Sequence, residues 1–420
     1  MFNALNRAFG TGFGAVILVL VPTGLFIPRG LAPLFVLLVV LAIHHCVRRR
    51  HLIAELPVHL MFSAVAFCLW AISSAFWSIA PFETFRAGVT LILIVFGGFC
   101  ILCAVRDISG REQKWVEFGL IATVFFGAAL VLIEVNAGLP LSIESKLLFK
   151  NKIPVITSNH MISRGMTVLA LLTWPAAWIL WRRGYKLTCY AILIFVFLAL
   201  ASGDSGTAVF ALCVGGLAFG ISVIFANRCS SIFIVLISLG ALTAPFAVLT
   251  LPDARTMSKS VPGLGYGVYP RLFIWQSTAG YIIDRPLFGY GLRSARILSS
   301  KADSQFVRIG PTDMNKVMIE PIPLHPHNAF LQLWLELGFF GVSFCLLTIL
   351  GVVTRIKRLL LSEVHRATLY ATLFTALSLL SMTYGLWQGW WQSLLWIIAG
   401  ISGFTVLPLK QIYLPGLGPN

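Results

Sequence analysis

The sequence predicts an all-α polytopic membrane protein with about twelve transmembrane helices and one large, partly helical outer loop before the tenth. Three observations carry that expectation. Of the 420 residues, 58% are hydrophobic and only 11% charged, whereas a soluble domain carries about a quarter charged residues. Mean hydropathy is +0.90. Apolar runs of about 20 residues, long enough to cross a bilayer as a helix, recur from end to end. This pattern excludes a disordered chain, a collagen, a coiled coil and a string of soluble domains.

Spans are expected at 12–28, 31–46, 57–77, 87–105, 116–135, 161–181, 187–201, 207–226, 231–251, 328–351, 367–387 and 391–408. Pro28-Arg29-Gly30 splits the first two, as in a tight hairpin of helices. The N-terminal apolar stretch lacks an A-x-A cleavage site and runs into a second one, so it is expected to be a span and not a removed leader. Residues 1–251 then carry helices one to nine and residues 252–327 form the outer loop. Residues 328–420 carry the last three helices and a short tail.

The net charge of +16, from 31 Lys+Arg against 15 Asp+Glu, could serve nucleic acid, anionic lipid, topology or a phosphate-bearing substrate. Its placement decides. With the N-terminus inside, the inner loops hold Arg7, Arg48 to Arg50, Arg106, Arg111, Lys114, Arg182, Arg183, Lys186, Arg228, Arg355, Lys357, Arg358, Arg366 and Lys410, whereas the short outer loops hold only Arg29 and Arg86. That positive-inside pattern puts both termini in the cytoplasm and leaves no role for nucleic acid.

The other cations gather outside. Segment 136–160 contributes Lys146, Lys150 and Lys152, with Arg164 just inside the next helix. The loop 252–327 has nine cations against Asp253, Asp284, Asp303, Asp313 and Glu320. A loop this long is usually functional. Within it, the run from Arg271 to Asp284 reads as an amphipathic surface helix and Pro286 to Leu292 as a turn. The central inner loop, Arg182 to Lys186, is only five residues. A carrier built from two six-helix halves would need more, so the layout favours chemistry at the surface over transport. An arginine one turn inside a bilayer is costly unless it snorkels or faces a polar cavity, which makes Arg86 and Arg164 site candidates as well as ordinary interfacial residues.

All eight cysteines fall in expected spans or inner loops, so no disulfide framework is implied. Cys100 and Cys103 have zinc spacing but sit in an apolar helix without a second ligand pair, which reads as packing. The outer segments contain no D-x-D or E-x-D pair, and the chain has no G-x-S-x-G, H-E-x-x-H, Walker A or G-x-G-x-x-G sequence, so neither a metal nor a nucleotide cofactor is expected. Histidines do face outward: His160, and His325 and His327 within Leu324-His-Pro-His-Asn328. A general base is the better reading of the pair, since Pro326 stiffens the backbone and no third zinc ligand is adjacent.

Beyond them, Asn328, Gln332 and Glu336 form a polar stripe, with Glu336 turned about 180° from His327 on the helix. Glu336 is therefore expected to anchor a loop or pack a helix, and Gly338 with Gly341, a turn apart, to permit close helix approach. Arginines beside a histidine suit transfer from a diphosphate-activated donor: guanidinium groups stabilise the leaving diphosphate and the histidine takes the acceptor's proton.

The stretch His327-Asn328, nine residues, Gly338-Phe-Phe-Gly341 resembles the H-N/S/Q-x9-G-x-x-G pattern of the O-antigen ligase and polysaccharide polymerase superfamily. Arg271-Leu-Phe-Ile-Trp275 followed by Arg285-Pro-Leu-Phe-Gly-Tyr-Gly291 is similar to that family's preceding block, so residues 271–341 carry the likeness. The resemblance implies a metal-independent, inverting glycosyltransferase of the GT-C type in the bacterial inner membrane, with its active site on the periplasmic face. It implies an undecaprenyl-diphosphate-linked O-antigen donor and a lipid A core acceptor, both met among membrane lipids.

By matching positions, His327 is the essential histidine and Arg271 an arginine of the diphosphate site. Arg86, Arg164, Arg285, Arg293, Arg296, Asn328 and His325 are expected around the substrates. Ser202 to Thr207 departs from the family's S-x-S-R block by lacking the arginine, a charge that Arg164 or Arg86 would have to supply. A polymerase joining lipid-linked repeats is the alternative, and a transporter of lipid-linked glycan a more distant one. The aromatic run Tyr384 to Trp391 reads as an interfacial belt, with sugar stacking the second option.

Overall fold

A computed structural model describes residues 8–49, 57–150, 158–203, 205–261, 267–301, 305–308 and 316–407. Arg7, Arg50, Lys152, Asp204, Asp303, Asp313 and Lys410, all placed on loops or turns above, lie outside the described residues. The chain is an all-α polytopic membrane protein in which every expected span is a helix.

In order these are α1 (Ala8–Phe26), α2 (Leu31–Arg49), α3 (Val58–Ser73), α4 (Pro81–Val105) and α5 (Arg111–Asn136), then a short α6 (Pro140–Lys150). α7 (Ser163–Arg182), α8 (Lys186–Ser202), α9 (Gly206–Ile224) and α10 (Cys229–Leu249) follow. The connection after α10 contains α11 (Ala254–Ser260), α12 (Val268–Asp284), α13 (Ala295–Lys301) and an antiparallel ribbon, β1 (Gln305–Arg308) against β2 (Lys316–Ile319), with Phe306 opposite Met318. α14 (Ala329–Arg358), α15 (Glu363–Met382) and α16 (Gly389–Thr405) complete the order.

Among the described residues, eight helices are long and apolar enough to cross a membrane: α1, α2, α3, α4, α5, α9, α10 and α14. Four expected spans fall short of that measure for local reasons. α8 and α16 are 17 residues each, α7 is rich in tryptophan, and α15 begins with Glu363, His365 and Arg366. Prolines at the first position open α4 and α6, where a missing N–H costs nothing. Ser362 caps α15 by accepting from His365 N.

The chain divides into two compact units, one of residues 1–55, 97–205 and 394–420, the other of residues 56–96 and 206–393. In the first, α7 is the central element. From Gly165 to Ala177 it is buried on every face, packed by α1, α5 and α8. At its far end Arg182 and Arg183 both donate to the carboxylate of Glu117 on α5. All eight cysteines are free thiols.

In the second unit α14 is central, packed by α3, α10, α12 and α15. Trp334 Nε1 donates to Ala241 O of α10 at 2.8 Å. α14 is not one helix: Gly338 has φ 64° and ψ −166°, which breaks it. The piece before the break is buried on all faces from Leu331 to Gly338, whereas the piece after it buries only one. Gln332 and Glu336 are therefore surrounded by protein and not by lipid, where irregular backbone is also tolerated.

Candidate active site

The two sequence blocks carrying the family resemblance meet across the break in α14. Tyr290 N donates to Leu335 O at 3.0 Å, Gly291 N to Glu336 O at 2.8 Å, and Phe339 N to Pro286 O at 2.8 Å. Trp70 Nε1 on α3 donates to Leu337 O at 3.0 Å. The carbonyls orphaned at the end of the short helix are thus satisfied by the turn and by an indole.

The glycines are what let these backbones approach. A Cβ on Gly289 would lie 2.6 Å from Glu336 backbone atoms, and one on Gly338 2.3 Å from Leu287 O. Both have positive φ, 68° and 64°. The expectation that Gly338 and Gly341 admit a neighbouring helix is corrected here: what lies against Gly338 is the backbone of the 286–291 turn. The turn is held from below as well, through Leu292 N to Ser74 Oγ at 3.1 Å and Thr84 Oγ1 to Leu292 O at 2.8 Å.

His327 is placed by three neighbours. Asn328 caps α14, its Oδ1 accepting from Phe330 N and Leu331 N. Trp275 of α12 donates its indole N–H to Pro326 O at 2.9 Å. His327 itself sits at φ 55°, a left-handed conformation that a non-glycine residue adopts at some cost. Its Nδ1 lies 2.7 Å from Thr383 O. A carbonyl only accepts, so Nδ1 carries the proton and Nε2 keeps its lone pair. His325 packs beside it with ring centroids 4.3 Å apart. It accepts from His327 N at 3.3 Å through Nδ1, and its Nε2 lies 3.2 Å from Gln388 Nε2.

The electrostatics keep this pair neutral. Burial is the main influence lowering the pKa of His327; the Thr383 hydrogen bond opposes it and the nearby charge of Arg271 adds to it. Burial likewise pushes His325 down to about 4, reinforced by His327 and Arg296. Arg271, on α12, is lowered by its own burial, with Tyr384 opposing, and a guanidinium so perturbed still keeps its charge. A positive group near enough to lower the pKa of His327 thus accompanies a neutral imidazole.

Of the site residues expected from sequence, the structure brings together His327, His325, Arg271 and Arg296. Arg293 sits three residues before Arg296 at φ 65°, its backbone N–H donating to the Glu336 carboxylate. Arg285 ends α12, exposed, with its guanidinium 4.8 Å from the Tyr290 ring centroid. Asn328 adjoins His327 but is engaged as a cap. Arg86 is exposed on α4, about 200° round the helix from Thr84, which faces the turn. Arg164 is exposed at the start of α7, in the first unit.

The aromatic run is no lipid belt: Trp390 and Trp391 are buried, and Tyr384 packs edge-on to Trp390 at 4.7 Å. In the same unit, an apolar groove of about 690 Å³ is lined by Leu69, Trp70, Phe76, Phe85 and Phe344. Thr383, Tyr384, Trp387 and Gln388 also lie against His327, Arg271, Glu336 and His325 in turn, an arrangement that sequence reading did not foresee. Their signal was hidden because one acts through a carbonyl and the others stood in an aromatic cluster.

Comparison with known proteins finds the same resemblance as the motif blocks. Residues 189–346 match a family model described as O-antigen ligase. A Rickettsia prowazekii protein provisionally named a polysaccharide ligase is 26% identical over 86% of this chain and 81% of its own. Its counterpart in Rickettsia typhi is 29% identical over 60% of this chain and 58% of its own, and that in Rickettsia conorii 27% over 82% and 78%. The matched region contains both motif blocks and relatives named as polysaccharide ligases align with most of the chain, so this membrane-spanning chain is similar to O-antigen ligase-type proteins.

Proposed function

We propose that the protein is a glycosyltransferase that moves a glycan from undecaprenyl diphosphate to the lipid A core, at the periplasmic face of the inner membrane. The acceptor hydroxyl attacks the anomeric carbon from the side opposite the diphosphate. A new C–O bond forms, the bond to the phosphate oxygen breaks, and the configuration inverts. His327 Nε2 takes the hydroxyl proton, and the electron pair leaves with the diphosphate. Arg271 and Arg296 offset the charge that develops there, which makes a divalent cation dispensable. The observation that carries this reading is the His327 tautomer, set by Thr383 O, which leaves Nε2 with its lone pair in an imidazole that feels the charge of Arg271. The apolar groove suits part of a polyprenyl chain.

The test is reconstitution of purified protein with undecaprenyl-diphosphate glycan and lipid A core in EDTA, comparing wild type with His327→Ala. Glycan on lipid A core that disappears in the variant supports the reading. Lengthened carrier-linked glycan would instead assign a polymerase, and absence of transfer by wild type would overturn the enzyme reading.

A further inference from the structure

The segment 383–388, between α15 and α16, has little regular structure of its own, yet its first carbonyl orients His327. What holds it is a pair of side chains on the short helix before Gly338. Gln332 Oε1 accepts from Leu386 N at 2.8 Å, and Glu336 Oε2 accepts from the indole N–H of Trp387. The two are joined, Gln332 Nε2 donating to Glu336 Oε1 at 3.0 Å. Glu336 also accepts from the backbone N–H groups of Arg293 and Ala295, at the turn that leads to Arg296. Glu336 is fully buried and Gln332 3% exposed. Such a network is stiff when every member is satisfied and costly when one is not.

We propose that the Gln332–Glu336 pair is the positioning element that holds the Thr383 carbonyl, and with it the His327 tautomer, in register with the Arg293–Arg296 turn. The inference rests on His327 being the base. It gives the polar stripe a task that packing alone does not demand, since an apolar pair of similar volume would fill the same space without gathering four donors. Neither residue touches the reacting atoms.

Hydrogen-bond accounting supplies the test. In Glu336→Gln the amide oxygen can still face Arg293 N and Trp387, but its NH₂ then opposes the NH₂ of Gln332. Exchanging the two, Gln332→Glu with Glu336→Gln, restores a donor facing an acceptor within the pair and keeps acceptors for Leu386 N, Trp387 and Arg293 N. Single-turnover transfer should fall about 10- to 100-fold in Glu336→Gln, as expected of a displaced catalytic group, with donor KM within about threefold of wild type. The exchange variant should recover most of the rate.

Because the Thr383 hydrogen bond raises the His327 pKa, loosening it should also move the acid limb of the pH–rate profile to lower pH. The groups facing His327 there are His325, Arg271 and Thr383 O, none of them altered. Trp387→Phe, which removes one donor and keeps the ring, should show the same changes more weakly and covers the case in which Glu336→Gln does not fold. Wild-type rate and pH limb in a folded Glu336→Gln, or in Trp387→Phe if that is the one that folds, would overturn the inference while an inactive His327→Ala left the base standing. A fully active His327→Ala would remove the base itself.

Discussion

Replacing Gly338 with alanine tests the central joint of the site. At φ 64° and ψ −166° the residue occupies a region almost reserved for glycine, where a side chain costs about 1–3 kcal/mol. The added Cβ would also stand 2.3 Å from Leu287 O, 2.4 Å from Leu287 C and 2.5 Å from Phe288 N. These are backbone atoms, so no rotamer change relieves the overlap; the turn must withdraw. Three backbone hydrogen bonds go with it, those of Tyr290, Gly291 and Phe339, at about 1 kcal/mol each. Together the variant should lose about 4–6 kcal/mol, a large part of a typical folding free energy.

The assay is denaturant unfolding in detergent, read alongside transfer activity. Gly240→Ala serves as control: it lies within α10 with no atom within 4 Å of the added Cβ, and should gain about 0.5–1 kcal/mol. Gly289→Ala, across the joint, should destabilise for the same reason, and the double variant should lose clearly less than the sum of the two. A Gly338→Ala protein within about 0.5 kcal/mol of wild type, or strict additivity with Gly289→Ala, would refute the interlock.

Other consequences can be measured directly. On the proposed mechanism the base works when neutral, so activity should be lost as pH falls through the His327 pKa, which burial sets below its ordinary 6.5; Arg271→Gln removes a depressing charge and should move that acid limb to higher pH in a pH–rate profile. An unchanged or lowered limb would contradict the proximity of the two groups. Trp275→Phe deletes the hydrogen bond to Pro326 O and should cost about 1 kcal/mol of stability with a disproportionate fall in transfer rate; equal loss of rate and substrate binding would speak against a role in holding His327. In the first unit, Glu117→Ala leaves Arg182, its side chain 6% exposed, without its carboxylate. Thermal unfolding should report a cost of about 3–5 kcal/mol, and a cost under about 1 kcal/mol would show the pair to be hydrated.

Much of this was legible in the chain. Hydropathy runs located every long helix because the bilayer length is written into them, and Arg271 to Asp284 showed its helix by amphipathic spacing. Glu336 does anchor a loop, as expected, but the angular argument for it fails, because His327 lies before the first turn of α14 at φ 55° and not on the helix. What could not be read was the break at Gly338. Its apolar neighbours look like continuous helix, and the left-handed conformation depends on a turn some fifty residues earlier in the chain. Thr383 was invisible for a different reason: it acts through a carbonyl, which every residue has. The aromatic run was misplaced because tryptophan near a span end usually means lipid headgroups, whereas Trp390 and Trp391 turn inward.

The order in which the chain is made bears on the divided helix. Growing from the N-terminus, the protein acquires Trp70 and the 286–291 turn before residues 329–337 exist, so that half-helix emerges to find a ready cradle for its last carbonyls. Leu386, Trp387 and Thr383 arrive only after α15 has been synthesised. Until then Gln332 and Glu336 have each other and the Arg293 backbone, and the imidazole of His327 has no carbonyl to lean on. A nascent chain stalled before Thr383 would hold its arginine turn in place beside an undirected histidine. The carbonyl that holds the His327 ring is thus made after the rest of its surroundings on α12 and α14.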